Sequence, residues 1–357
     1  MNTIFCDLLL KWDKNLNHRP MPWKGEKDPY KIWFSEIILQ QTRVEQGWAY
    51  YEKFIITYPT IQHLAKAKEN DVFKLWEGLG YYNRCRNLLF TAKYIVNELH
   101  GVFPKTYEGL IALKGVGPYT ASAIASFAYN QPHAVVDGNV FRVFSRYYGI
   151  HTPIDTKDGL IQFNKIAIEN LAIKKAGIYN QALMDFGATV CKPMAPLCAE
   201  CIMQSSCNAY TLNKVGQLPV KEKLIHRKNR YFDFFCFKIG NKVLIQKREM
   251  GDIWAGLYQF YLVENDKHVK LDTQFYDQIL SNQLMLEKQL VNIKYPQKVY
   301  TQMLTHQQLA VRFHIIELKG LAKVFENGNW TTIKSLKKLA FPKTINIFLA
   351  EQNYFDL

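Results

Sequence analysis

The sequence predicts a multidomain protein of α and α+β class: a mostly α region over residues 1–210, a basic linker at 211–229 and a smaller α+β domain at 230–357. Three observations carry this reading. Up to residue 210, apolar residues recur at the helical period, as at Val72, Leu75, Trp76 and Leu79, and no segment reads as a strand. Four of the seven cysteines crowd between Cys191 and Cys207. Beyond 230, the runs YFDFFCFKI, KVLIQK, LYQFYLV and QLAVRFHIIEL are rich in aromatic and β-branched residues, with one helical pattern near TQFYDQILSNQLMLEKQ. A length of 357 residues, at roughly 150 per domain, accommodates two or three such units.

Composition narrows the partner. Lys and Arg total 45 against 31 Asp and Glu, a net charge of +14, while 48% hydrophobic content excludes a disordered basic tail. A polyanion is implied, either nucleic acid or an anionic membrane surface. No run approaches the roughly 18 apolar residues of a spanning helix, and MNTIFCDLLLKWDKN lacks the basic start of a signal peptide. The expectation is therefore a monomer in a reducing compartment, the bacterial cytoplasm, with no membrane partner.

Taken in chain order, Asp28-Pro29 reads as a helix start: an N-cap acid, then a proline whose missing N–H costs nothing in the first turn. The helix it opens carries Glu36, with Ile32, Trp33, Leu39 and Gln40 as its i±3 and i±4 neighbours. Such apolar surroundings favour the protonated carboxyl. Further on, LKGVG (113–117) lies between TYEGLIAL and YTASAIASFAY; Gly115 and Gly117 permit positive φ and expose backbone N–H groups at a helix start, an anion site suited to a phosphate. AVVDGNVFRVFSR follows, where Asp137 occupies an N-cap position. Backbone donors and the helix dipole are expected to hold it ionised, opposite in tendency to Glu36.

The cysteines Cys191, Cys198, Cys201 and Cys207 form C-x6-C-x2-C-x5-C, able to tie a tetrahedral zinc or a cubane 4Fe-4S cluster. Residues 191–230 hold seven basic residues, at 192, 214, 221, 223, 227, 228 and 230, against Glu200 and Glu222. That charge suits phosphate contact. Cys6, Cys85 and Cys236 read as packing residues.

Together, LKGVGPYTASAIASFAY and VVDGNVFRV resemble the helix-hairpin-helix Gly/Pro…Asp superfamily of base-excision DNA glycosylases, and the cysteine spacing resembles that of its iron-sulfur branch. MPWKGEKDPYKIWFSEIILQQTRV, WEGLGYYNRCRN and NQALMDFGATVC look like the MutY family of adenine DNA glycosylases within it. The resemblance implies excision of adenine opposite 8-oxoguanine or guanine in duplex DNA, and one 4Fe-4S cluster on the four cysteines. It gives Glu36 the protonation of adenine N7 and Asp137 the stabilisation of the sugar cation, with Tyr119 and Asn139 assisting. Tyr119 stands where the endonuclease III branch has a lysine nucleophile, which implies a monofunctional enzyme, with Lys114 a source of trace lyase activity.

The resemblance further implies that the flipped adenine enters a pocket bordered by Trp23, Lys24, Leu39, Val44 and Gln181, with Gln41, Leu79 and Tyr81 at the intercalation site and Lys114, Gly115, Val116 and Gly117 on the DNA backbone. The C-terminal domain resembles the Nudix-like (MutT-related) fold without the glutamates of its hydrolases, and the family's Phe-Ser-His turn for 8-oxoguanine stands here as Leu304-Thr305-His306. Two other readings remain at this stage: an endonuclease III-like glycosylase and AP lyase for oxidised pyrimidines, and a non-catalytic iron-sulfur DNA-binding module.

Overall fold

The computed structural model describes residues 3–223, 226–283, 291–319 and 328–354. The helices in chain order are α1 (Thr3–Leu16), α2 (Pro29–Leu39), α3 (Val44–Thr57), α4 (Ile61–Lys66), α5 (Glu69–Trp76), α6 (Tyr82–Glu98), α7 (Tyr107–Ile111), α8 (Pro118–Tyr129), α9 (Gly138–Tyr148), α10 (Lys157–Glu169), α11 (Ala176–Thr189), α12 (Asn208–Thr211), α13 (Thr273–Tyr276) and α14 (Lys343–Glu351). The strands are β1 (Lys228–Ile239), β2 (Lys242–Lys247), β3 (Tyr258–Gln259), β4 (Tyr261–Asn265), β5 (Val291–Lys294), β6 (Tyr300–Met303), β7 (Gln307–Leu318) and β8 (Asn329–Thr332). Among the described residues no strand precedes Lys228, and no helix is long and apolar enough to cross a membrane.

By compactness the chain divides into Met1–Ala67 with Arg86–Leu224, and Lys68–Cys85 with Ile225–Leu357. In the first unit the helix starts follow local chemistry: the Asp28 side chain accepts from Tyr30 N, Thr106 from Gly109 N, and Asp137 from both Asn139 N and Val140 N. Phe5, Phe144, Phe163, Tyr179 and Phe186 are fully or nearly fully buried in a core shared by α1, α9, α10 and α11. Each of these phenylalanines contributes about 1.5–3 kcal/mol through burial.

Residues 68–85 belong with the C-terminal sheet rather than with the helices around them in sequence. The reason is visible in their partners: Lys74 Nζ donates to Leu339 O (3.0 Å), Glu77 Oε1 accepts from Phe341 N (2.8 Å) and Asn70 Nδ2 reaches the Tyr258 hydroxyl (3.3 Å). The expected linker is only partly free. Ile154 N donates to Val220 O, and Glu222 N and Lys223 N both donate to Asp155, while β1 already begins at Lys228.

The sheet runs β3-β2-β1-β7-β5, with β4 on β1, β6 on β7 and β8 on β2. β1 and β7 pair in parallel, Asp233 opposite Arg312 and Phe235 opposite His314; the other pairings are antiparallel. Phe232 to Phe237 are all buried, because both faces of β1 are covered, so the run shows no polar alternation. Phe235, Phe237 and Ile316 pack against Phe275, Tyr276 and Ile279, and on the other face Phe313 stacks on Phe348 of α14 at 4.1 Å. The helical pattern expected near 273–289 appears as α13 and a π-helical stretch Asp277–Gln283, its remainder lying outside the described residues.

The face packed against Tyr276 holds an ionic group. Asp233 accepts from Arg312 Nε and Nη2 (2.7 and 2.8 Å), His314 Nε2 (2.8 Å) and Asn265 Nδ2 (2.8 Å), and His314 Nδ1 pairs with the Tyr276 hydroxyl (2.8 Å). Burial raises the Asp233 pKa, but the His314 and Arg312 hydrogen bonds outweigh it and the net shift is downward. Asp233→Ala strands a buried arginine, and we expect it to destabilise the full chain by about 3–5 kcal/mol in denaturant unfolding. A change below about 1 kcal/mol would show that the carboxylate is not the acceptor on which the network rests.

Candidate active site and cysteine loop

α2 is buried almost all round, and Glu36 sits within it, 5% exposed among Ile32, Trp33 and Ile37. Burial drives its pKa up to about 7; a hydrogen bond from Tyr119 opposes the shift and the Asp137 charge adds to it. The apolar surroundings read from the sequence therefore have the expected effect. The Tyr119 hydroxyl is also 3.4 Å from Met184 Sδ, but with one proton to give, the carboxylate is the better acceptor than a thioether.

Asp137 is the N-cap of α9, accepting from Asn139 N and Val140 N (both 2.8 Å) and from Asn139 Nδ2 (2.7 Å). The geometry is as expected, but the net pKa shift is not. Burial raises it more than those donors and the Arg142 charge lower it, so Asp137 lies above the usual aspartate value. A local motif reveals the donors, whereas desolvation is imposed by the whole surrounding fold.

Glu36 lines a cavity of about 170 Å³ together with Trp23, Lys24, Ser35, Phe127 and Gln181. Leu39 and Val44, expected to border the same pocket, are not among its lining residues; Leu39 instead packs beside Gly47, its Cδ2 only 3.1 Å from where a Cβ would lie. Lys24 is held by Asp185, which is fully buried and also pairs with Arg19 (3.0 Å) and accepts from Asn17 and Gln181. This cluster was not legible in the sequence, since Arg19 and Asp185 stand 166 residues apart.

Gly115 has φ +81, as a turn glycine should, but Gly117 does not: at φ −93 it is the exposed N-cap of α8. Val116 is buried at 6% and serves as packing under the hairpin. Lys114 is exposed, with Nζ 4.4 Å from the Phe90 ring centre rather than in the Glu36 cavity. Gln41 and Tyr81 are both exposed with positive φ (56 and 50), a strained backbone for side-chain-bearing residues, whereas Leu79 at 5% exposure is packed inward and projects no wedge.

In the second unit, Leu304 and Thr305 are half-buried and His306 is exposed on the β6–β7 turn. The Thr305 hydroxyl lies 2.5 Å from that of Tyr81, and both line a cavity of about 510 Å³ with Gly80, Asp252, Leu304 and His306. Arg230 departs from the sequence reading. It is 8% exposed and paired with Asp252 and Glu264, so it leaves the set of basic residues available to phosphate.

Cys191, Cys198, Cys201 and Cys207 line one further cavity with Arg146 and Met203. Burial and the neighbouring thiols push Cys201 up to about 11, and Arg146 Nη1 lies 3.4 Å from Cys191 Sγ. Four soft thiol donors around a shared space fit a metal-sulfur group; among the described residues no three His, Cys, Asp or Glu side chains converge closely enough for a single ion. Cys6, Cys85 and Cys236 are buried in packing, as expected. Arg142 joins this loop to Asp137: it donates to Asn139 Oδ1 (2.8 Å), Gly138 O (3.2 Å), Gly187 O (2.7 Å) and Cys191 O (2.8 Å).

A model of the HhH-GPD superfamily of base excision DNA repair proteins matches residues 34–166, and a NUDIX domain model matches 234–351. An adenine DNA glycosylase of Buchnera aphidicola (subsp. Acyrthosiphon pisum) is 30% identical over 97% of both chains; another, from the subspecies Baizongia pistaciae, is 37% identical over 74% of this chain and 75% of its own. The human adenine DNA glycosylase is 41% identical over 58% of this chain and 39% of its own. Among solved structures, a thermostable thymine-DNA glycosylase aligns at TM-score 0.54 and 29% identity, covering 59% of this chain and 96% of that one.

Gly187 is the tightest contact behind the Asp137 group, since a Cβ there would lie 2.6 Å from Asn139 Cβ. Gly187→Ala should displace Asn139 and lower unfolding stability by about 1–3 kcal/mol, whereas an unchanged unfolding midpoint would show that the contact yields freely.

Proposed function

The chain belongs to the adenine DNA glycosylases of the HhH-GPD superfamily, enzymes of base-excision repair that remove adenine from DNA, and from that premise we propose that it excises adenine mispaired with 8-oxoguanine or guanine. We place this activity on duplex DNA, in a monomer of the bacterial cytoplasm. The observation that carries the mechanism is the buried Glu36, whose pKa of about 7 leaves it substantially protonated at neutral pH, beside a second carboxyl held by an N-cap.

Adenine leaves poorly as an anion. In this mechanism the flipped base enters the cavity of Trp23, Lys24 and Gln181, and Glu36 gives its proton to N7. The electrons of the C1′–N9 bond then pass into the protonated base, which leaves as neutral adenine, and the sugar is left as an oxocarbenium ion. Asp137, ionised and oriented by Asn139, stabilises that cation until water or the carboxylate itself attacks. Tyr119 holds Glu36 in place through its hydroxyl. A tyrosine there forms no Schiff base, so the enzyme is monofunctional, with Lys114 the source of any trace lyase activity.

Gln41 and Tyr81 act at the intercalation site. Gly115 and Gly117 leave backbone N–H groups open to the phosphate backbone. Leu304, Thr305 and His306 read the orphaned 8-oxoguanine. Cys191, Cys198, Cys201 and Cys207 would hold one 4Fe-4S cluster, which when bound would brace the basic loop. Arg142 and Arg146 tie that loop to α9 through the carbonyls of Cys191, Lys192 and Pro193.

The deciding assay is single-turnover base release from duplexes carrying A opposite 8-oxoguanine, A opposite G, and oxidised pyrimidines; pyrimidine release without adenine release would sink the reading. Glu36→Gln should abolish excision while duplex affinity persists. Because the acid form is active and burial raises its pKa, the wild-type rate should decline as pH rises through about 7, and a profile flat to high pH would remove Glu36 as the acid. For the cluster, the purified protein should show the broad visible absorption of iron-sulfur centres, and zinc in its place by elemental analysis would overturn that assignment.

A further inference from the structure

Telling 8-oxoguanine from guanine is a problem of positioning. The two bases differ at C8 and at N7, which is a donor in the oxidised base and an acceptor in guanine. A threonine hydroxyl both donates and accepts, so a freely moving Thr305 would satisfy either base. Discrimination requires that the turn bearing it be held still.

The structure supplies the holder from the start of β1. Leu304 N donates to Gln307 O (2.8 Å), closing the turn, and Lys228 N donates to His306 O (2.9 Å). Arg227 Nε reaches Leu304 O (3.3 Å). Arg230, two residues along β1, uses all five of its N–H groups: Nε and Nη2 on Glu264 (2.6 Å each), Nη1 and Nη2 on Asp252 (2.6 Å each), and Nη1 on Gln307 Oε1 (3.2 Å). Its guanidinium also lies over Phe232, 4.8 Å from the ring centre.

Asp252 is saturated as well, accepting from Arg230, Arg248 and Ile253 N. It therefore lines the Thr305 cavity as a fixed wall and offers no free acceptor to a base.

We propose that Arg230 is the positioning residue of the lesion-reading turn: by gripping Asp252, Glu264 and Gln307 at once, it holds Leu304–His306 in the one geometry that accepts 8-oxoguanine over guanine. The inference rests on the 8-oxoguanine reading above. It gives a role to an arginine whose sequence position marks it only as part of a basic stretch. Arg230 touches no substrate; it acts through the turn.

The test uses the full chain. Arg230→Lys keeps the charge but loses the two-sided fork, and Glu264→Gln loosens one side of it from a residue on β4 that lies outside the cavity. Single-turnover excision is measured at sub-saturating and at saturating enzyme on A opposite 8-oxoguanine and A opposite G, with thermal unfolding alongside. We expect the preference for the 8-oxoguanine duplex to fall roughly tenfold, while the saturated rate on A opposite G stays within about twofold of wild type. A merely structural role lowers the unfolding midpoint and the active fraction for both duplexes together, leaving the ratio intact, and that result overturns the proposal. If Arg230→Lys does not fold, the ratio in Glu264→Gln decides. A wild-type enzyme without any preference would overturn the underlying 8-oxoguanine reading, while a discriminating wild type with unmoved variants overturns the role of Arg230 alone.

Discussion

The Arg142 guanidinium ties together what would otherwise be three independent pieces of the helical unit. One side chain donates to the first turn of α9, to Asn139 beside Asp137, to the carbonyl of Gly187 on α11 and to Cys191 at the head of the cysteine loop. At 7% exposure it has little water to fall back on, so each acceptor it holds is an acceptor it needs. Gly187 exists in that setting because α9 and α11 approach too closely for a Cβ. Asn139 beside Asp137, the α9–α11 contact at Gly187 and the head of the cysteine loop thus share one planar group, and Arg146 adds bonds to the carbonyls of Lys192 and Pro193.

Around that anchor the two carboxyls are treated differently by the same low-dielectric surroundings. Both are raised by burial, but Asp137 has three hydrogen-bond donors and Glu36 has the single hydroxyl of Tyr119. A proton is therefore more readily kept on Glu36, and the charge more readily carried by Asp137. Placing a carboxyl in the middle of an apolar helix sacrifices stability, and α2 supports it by burying Trp33, Phe34 and Ile37 alongside.

The C-terminal unit uses a similar principle on a sheet. β1 and β7 lie in parallel at its centre, covered on both faces, and charged residues drawn inside are paired: Asp233 with Arg312 and His314, Arg230 with Asp252 and Glu264. The 68–85 segment is drawn into this unit by the Lys74 and Glu77 side chains, which bond the backbone of Leu339 and Phe341, and by the Tyr81–Thr305 contact. The Leu304–His306 turn is tied to the start of β1 by the bond from Lys228 N to His306 O.

Much of this was readable from residues close together in the chain. Helix starts at Asp28 and Asp137, the hairpin between α7 and α8, the apolar shell of Glu36 and the four-cysteine spacing are all set by contacts within a few positions, where residue identity nearly determines geometry. What the chain alone could not disclose has a common cause. The Asp185 cluster, the acceptors of Arg142, the upward shift of Asp137, the inward turn of Leu79 and the burial of Arg230 in a basic stretch each depend on elements far apart in sequence. Local patterns specify which groups can pair or ionise. Which of them lose water, and so must pair, is decided only when distant segments close over them, because desolvation is summed over all the surrounding structure.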